Sequence, residues 1–175
     1  GNGEYLIESA LSNPNVLFVG SEVYVNGVAK VLKKILEHDI KNIRLCGMNF
    51  VYLLNILNQN SIDELKIINP DPWHKKRHLK RRLVNLENII KIIGIVKNKY
   101  ASYITTDSES YFNYINEIFS SNSKIIHENK NKILSKNDRL YGVSRYQRKA
   151  IKNGKKIYQL TFWYHYIFRY LIYEN

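Results

Sequence analysis

The chain has 175 residues, enough for one domain with a sizeable core, and its composition (45% hydrophobic, 24% charged) is that of a folded globular protein. It has no apolar run of about 18 residues to span a membrane and no basic-then-apolar leader, and its single Cys46 excludes an internal disulfide or a thiolate zinc cluster. Lys plus Arg number 27 against 15 Asp plus Glu, a net charge of +12 that suits nucleic acid or an anionic membrane surface.

A composition rich in Lys, Asn and Ile is also what an AT-rich genome produces, so the distribution of the charge has to decide. The expected compartment is a reducing cytoplasm. Leu6 to Leu11 forms the apolar side of a short helix opening directly after Gly1-Asn2-Gly3. Val16 to Val19, after Pro14-Asn15, predicts a buried strand, and Val28, Val31, Leu32, Ile35 and Leu36 recur at helical spacing to about Glu37. A strand over Asn42–Cys46, a helix over Phe50–Leu57 and a strand over Leu65–Ile68 follow, the last ended by Pro70-Asp71-Pro72. Leu83–Val96 predicts a helix, Ala101–Thr106 a strand and Tyr111–Phe119 a helix. Ser120 to Arg139 is polar and predicts a poorly packed connection with at most one strand. Arg145–Asn153 predicts a helix capped by Gly154, and Tyr158–Ile167 a long strand. Alternating strands and helices predict an α/β domain, Rossmann-like, with a mostly parallel sheet flanked by helices and no second domain over 1–175. Units of this kind begin with a strand feeding a glycine loop, whereas this chain begins at the glycines. The expectation is that a first strand is missing and that residue 1 is not the natural start.

Four segments carry candidate chemistry. Gly1-x-Gly3 before a helix, with Glu22 at a strand end about 20 residues on, matches the geometry that holds an adenosine; a plain turn and a solvated Glu22 are the alternatives. Asn69–Arg82, NPDPWHKKRHLKRR, is the most specific stretch. Two prolines constrain Asp71 beyond a strand's carboxyl end, and His74–Arg82 then holds six Lys or Arg, two His and only Leu79 as an apolar residue. Cations so crowded repel one another, and phosphate contacts account for them better than folding does. Trp73 either stacks on a base or anchors the loop in the core. His74 and His78 lack a third ligand of suitable type, so no metal is expected. Asp107, at the next strand end, either hydrogen-bonds a base or caps a helix. Ser144-Arg145-Tyr146-Gln147 opens a helix with a basic, aromatic and amide cluster, or simply with a Ser cap.

In order along the chain, Gly1-Asn2-Gly3-Glu4, Phe18-Val19-Gly20-Ser21-Glu22-Val23, Asn26-Gly27-Val28, Asn42-Ile43-Arg44-Leu45, Pro70 to Arg82, Thr106-Asp107 with Tyr111, and Ser144 to Gln147 resemble the bacterial tRNA (guanine-N7)-methyltransferases. The resemblance covers nearly the whole chain, and its PDPW-x-K-x-RH-x-KRR element is the most specific part. It implies S-adenosylmethionine as methyl donor and tRNA as substrate, with a variable-loop guanosine as target and no membrane or metal, in a monomer or homodimer. Asp71 then corresponds to the catalytic aspartate, which also touches the cofactor pocket, and Gly1, Gly3, Glu22 and Asn49 to cofactor positions. Lys75 and Asp107 correspond to substrate positions, and Arg77, His78, Lys80, Arg81 and Arg82 to an RNA-contact stretch. Ser144, Arg145, Tyr146 and Gln147 complete the substrate side, Ser144 and Gln147 standing where the family has Thr and Glu. Asn49 replaces an acidic residue near the adenine and Gln147 loses a charge. These departures, with the absent first strand, support the rival expectation of a homologue that binds tRNA without catalysis.

Overall fold

A computed structural model describes residues 2–97, 100–122 and 128–163. The expected cofactor role of Gly1 and the reach of the last strand to Ile167 lie outside them. The element order is α1 (Glu4–Ser12), β1 (Phe18–Ser21), α2 (Val25–Glu37), β2 (Ile43–Cys46), α3 (Phe50–Ile56), β3 (Lys66–Ile68), a 3-10 helix (Lys76–Arg81), α4 (Leu86–Ile95), β4 (Ser102–Thr106), α5 (Glu109–Ser121), β5 (Glu128–Ile133), α6 (Arg145–Lys152) and β6 (Tyr158–Trp163). Every element expected from periodicity is present, but the strand expected to be buried over Val16–Val19 runs from Phe18 to Ser21 and is only partly covered, with Val19 exposed. Helices α3 to α6 start where short polar side chains cap them, whereas α1 and α2 open without a side-chain cap. Asn49 accepts from Val51 N–H, Asn85 from Asn88, Ser108 from Tyr111 and Ser144 from Gln147. Asn85 explains why α4 begins three residues later than its apolar pattern does.

The strands form two hydrogen-bonded groups. β1 and β2 are a parallel pair, and the second group has the order β3-β4-β6-β5. Within it β3 and β4 are parallel, and β6 alone runs against its neighbours, inserted between β4 and β5. Among the described residues no ladder joins β1 to β3, so each is an edge of its group. The fold is thus α/β with a largely parallel sheet, as the alternation of elements predicts. β5 is the one strand of the polar connection, and its exposed Lys130 and Lys132 suit a sheet edge that must not pair with another chain. The connection is better packed than its composition implies, since Leu134 and Leu140 are buried with Ala150 and Ile157.

α4 and α5 supply most of the core against the larger group, where Ile89, Ile92, Tyr111, Ile115 and Phe119 meet Ile104, Leu160 and Phe162. α1 serves both groups. Its Ile7 and Ala10 pack with Val31 and Ile43, while Tyr5 packs against the cluster around Leu140. A Cβ on Gly20 would lie 2.6 Å from Leu6 Cδ2, so α1 sits on β1 as closely as a glycine allows.

Candidate active site

The polar residues of interest stand just past the carboxyl ends of β1, β2, β3 and β4, where open α/β sheets bind ligands. At the β1–β2 end, Gly3 caps α1 in the left-handed region at φ 65°, and a Cβ there would fall 2.3 Å from Val31 Cγ2. Both facts demand glycine, the second because buried Val31 of α2 packs directly on the Gly3 backbone. Half-buried Glu22 follows β1; one carboxylate oxygen accepts from Tyr24 N–H at 2.7 Å. Glu22 N–H donates to the Cys46 carbonyl at 3.1 Å and Ser21 Oγ to the Met48 carbonyl at 2.7 Å, tying the two loops together. Asn49 caps α3 through its amide oxygen at 3.0 Å, which uses part of the acceptor capacity expected to meet an adenine amine.

The turn after β3 holds two of the four non-glycine residues with positive φ among the described residues. Asn69 at φ 47° and Trp73 at φ 45° are both left-handed, and they bracket Pro70-Asp71-Pro72. Such conformations cost on the order of 1–3 kcal/mol each outside glycine and persist only where the surroundings hold them. Arg82 supplies part of the hold. It is 6% exposed, its Nε donates to the Pro72 carbonyl at 2.9 Å, and its guanidinium lies 4.6 Å and 4.5 Å from the ring centres of Tyr111 and Tyr114. Burial pushes the Tyr111 phenol up to about 12, and its hydroxyl accepts from Val84 N–H at 3.1 Å. Trp73 is half-buried rather than in the core: Arg81 lies over its ring at 5.2 Å and His78 meets it edge-on at 5.5 Å. Asp71 is exposed, and among the described residues its carboxylate has no hydrogen-bond or ion-pair partner.

The basic stretch therefore divides. Lys75, Arg77, Lys80 and Arg81 are exposed, His78 is half-buried, and Arg82 faces inward. Asp107 is not the cap of α5, a role filled by Ser108, whose Oγ accepts from Tyr111 N–H at 3.4 Å. Its carboxylate accepts instead from Asn69 Nδ2 at 3.1 Å and Lys155 Nζ at 3.2 Å. Ser144 caps α6, Tyr146 is 64% exposed, and Gln147 is fully buried beneath them. Glu4 joins the glycine turn to this helix, accepting from Arg145 N–H at 3.2 Å and Arg148 Nη2 at 2.7 Å. Asn69, Thr105 and Glu4 lie inside segments singled out in the sequence but carry no assigned role there; an Asn preceding Pro at a strand end is the available sign for the first of them.

Residues 1–160 match the protein family described as "Putative methyltransferase". A bifunctional methyltransferase of Rickettsia felis is 40% identical over 155 residues, covering 89% of this chain and 29% of that protein. A tRNA (guanine-N(7)-)-methyltransferase of Buchnera aphidicola is 35% identical, covering 93% of this chain and 68% of that protein. The chain thus spans less than a third of the bifunctional relatives and about two thirds of the second kind. Among solved structures, an antibiotic-related methyltransferase aligns with a TM-score of 0.64 at 16% identity, covering 94% of this chain and 84% of the other. A 30S ribosomal A1408 methyltransferase from an uncultured bacterium aligns at 0.59 and 20% identity, over 94% and 84%. These two likenesses establish the fold, and the sequence match over residues 1–160 places the chain in this methyltransferase family, among relatives that include the tRNA (guanine-N(7)-)-methyltransferases.

Proposed function

We propose that this chain transfers a methyl group from S-adenosylmethionine to N7 of a guanosine in tRNA, in the variable loop. One observation carries the reading: the Asp71 carboxylate, with no hydrogen-bond or ion-pair partner among the described residues, is held between two left-handed residues beside a row of exposed cations. A base edge and a phosphate backbone are together the ligand that such an arrangement matches. The relatives named for this reaction support it.

The β1–β2 rim fits the donor. Gly3 turns the chain into α1 beside that rim, and Glu22 has the position and acceptor chemistry for ribose hydroxyls. S-adenosylmethionine supplies a methyl group made electrophilic by a sulfonium. Guanine N7 already carries a free lone pair, so no residue has to remove a proton. The chain's contribution is alignment of donor and acceptor, together with charge placement. Asp71 accepts hydrogen bonds from the base edge and offsets the positive charge that the guanine gains. Asp107, oriented by Asn69 and Lys155, gives the same rim a second acceptor. Lys75, Lys76, Arg77 and Lys80 bind phosphates, with recognition by shape rather than base sequence, and the target base has to leave its stack.

The test is transfer of labelled methyl to an unmodified tRNA transcript, beside one whose variable-loop guanosine is adenosine. Label on the first alone is expected. Label on both breaks the site assignment. No label while tRNA still binds breaks the enzymatic reading and leaves a binding protein.

A further inference from the structure

Gln147 lies at the start of α6, where a substrate-facing side chain is expected, yet it is 0% exposed. Its amide is held at both ends: Oε1 accepts from Val143 N–H at 3.3 Å, and Nε2 donates to Asn69 Oδ1 at 2.9 Å and Thr105 Oγ1 at 3.1 Å. Thr105 Oγ1 also donates to Asn69 Oδ1 at 3.3 Å, and Asn69 Nδ2 donates to Asp107 Oδ1 at 3.1 Å.

The direction of this chain is forced. A backbone N–H can only donate, so Val143 turns the oxygen of Gln147 toward itself and leaves the NH2 facing Asn69. Asn69 must answer with its oxygen, which turns its own NH2 toward Asp107 and demands an acceptor there. A Glu at position 147 would present an oxygen where Asn69 now meets an NH2, turn the Asn69 amide round and set two oxygens against each other at Asp107. Asn69 is also the left-handed residue that opens the Asp71 turn. One side chain thus touches the supports of both rim carboxylates.

We infer that Asn69 is a positioning residue, a directional amide link through which buried Gln147 orients Asp107 and steadies the turn that presents Asp71. Gln147 acts through Asn69 and does not touch the substrate. The inference rests on the methyl transfer proposed above.

The experiment uses the intact protein with Asn69→Ala, Asn69→Asp, Gln147→Glu and the double variant Asn69→Ala/Gln147→Glu. Single-turnover methyl transfer to tRNA, S-adenosylmethionine affinity and melting temperature are measured for each. Asn69→Ala is expected to slow transfer about tenfold to a hundredfold, the cost of misplaced groups, with cofactor affinity unchanged. Asn69→Asp keeps an acceptor toward Gln147 and Thr105 but sets a second carboxylate against Asp107. It is expected to melt closer to the parent than Asn69→Ala does, and to be at least as slow. Gln147→Glu slows transfer alone but adds nothing to Asn69→Ala, because the two act through one link. Parental rates in both Asn69 variants, or effects of Asn69 and Gln147 that simply multiply, overturn the inference while leaving the reaction in place. A parent chain without methyl transfer overturns the reaction and the inference with it.

Discussion

The two strand groups solve the same packing problem with unequal means. Around β1 and β2 the buried cluster among the described residues is Ile7, Ala10, Val31, Ile40 and Ile43, whereas the larger group gathers fourteen buried side chains. Large apolar residues left exposed are concentrated in the first third of the chain: Leu17, Val23, Tyr24, Val25, Leu36, Tyr52 and Ile56 are all at least 58% exposed. A two-stranded unit with so small a core is marginal alone. α1 couples it to the rest through Tyr5 and the Glu4–Arg148 ion pair. The teaching is a division of labour. The lightly packed half carries the proposed cofactor residues, and the well-packed half carries the strained turn, which needs the stronger support.

The sharpest way to break that division is kinetic. Asp71→Ala should lower single-turnover transfer about 100- to 1000-fold, the usual cost of losing a group that stabilises developing charge, and weaken S-adenosylmethionine binding far less. Glu22→Ala should do the reverse, weakening cofactor affinity roughly 10- to 100-fold, as expected for hydrogen bonds to a charged acceptor. Equal effects of both variants on both quantities would erase the distinction between the halves.

Stability gives the next contrast. Ile89→Ala, at a fully buried site in the large core, should cost about 2–5 kcal/mol in denaturant unfolding. Val31→Ala removes two methyl groups, about 1.6 kcal/mol of burial, and amides of β1 and β2 should exchange with solvent sooner than those of β4 and β6. Slower exchange in β1–β2 would mean that the first half is the more stable one.

Within the basic stretch, Arg82→Ala should destabilise the protein by about 2 kcal/mol, since it removes a buried hydrogen bond and two cation–π contacts. Lys80→Ala should leave stability unchanged and reduce the slope of log tRNA affinity against log salt by about 1. An Arg82 variant that changed only the salt slope would show that its burial does not matter to the fold.

The smallest effect concerns pH. Burial is the main cause raising Tyr111 from its ordinary 10.0 to about 12; the Val84 hydrogen bond and Arg82 oppose the shift, while Tyr114 and Asp71 add to it. A raised folded value means a contribution fully present below pH 10 and lost as pH rises toward 12. Melting temperature should therefore decline over that interval, and less steeply in Tyr111→Phe.

Much of this was legible locally. The Ser144 cap is a short-range hydrogen bond and the helix and strand periods are local too, so the elements follow from neighbouring residues. The caps Asn85 and Ser108 are not singled out in the sequence, and α4 and α5 start at Leu86 and Glu109 rather than at Leu83 and Tyr111. The Pro70-Asp71-Pro72 turn and its adjoining cations could likewise be read directly, because proline limits the backbone whatever surrounds it. Arg82 and Gln147 show the limit. Both read as substrate residues by position, and both turn inward toward partners distant in sequence, Tyr111 and Tyr114 for one, Asn69 and Thr105 for the other. The amino-acid sequence by itself determined the α/β class, the placement of the rim residues and a basic balance of charge that suits a polyanion. Only the tertiary structure decided which cation supports the fold and which faces solvent, and which buried groups the amides meet, because those partners lie 27 to 78 positions away.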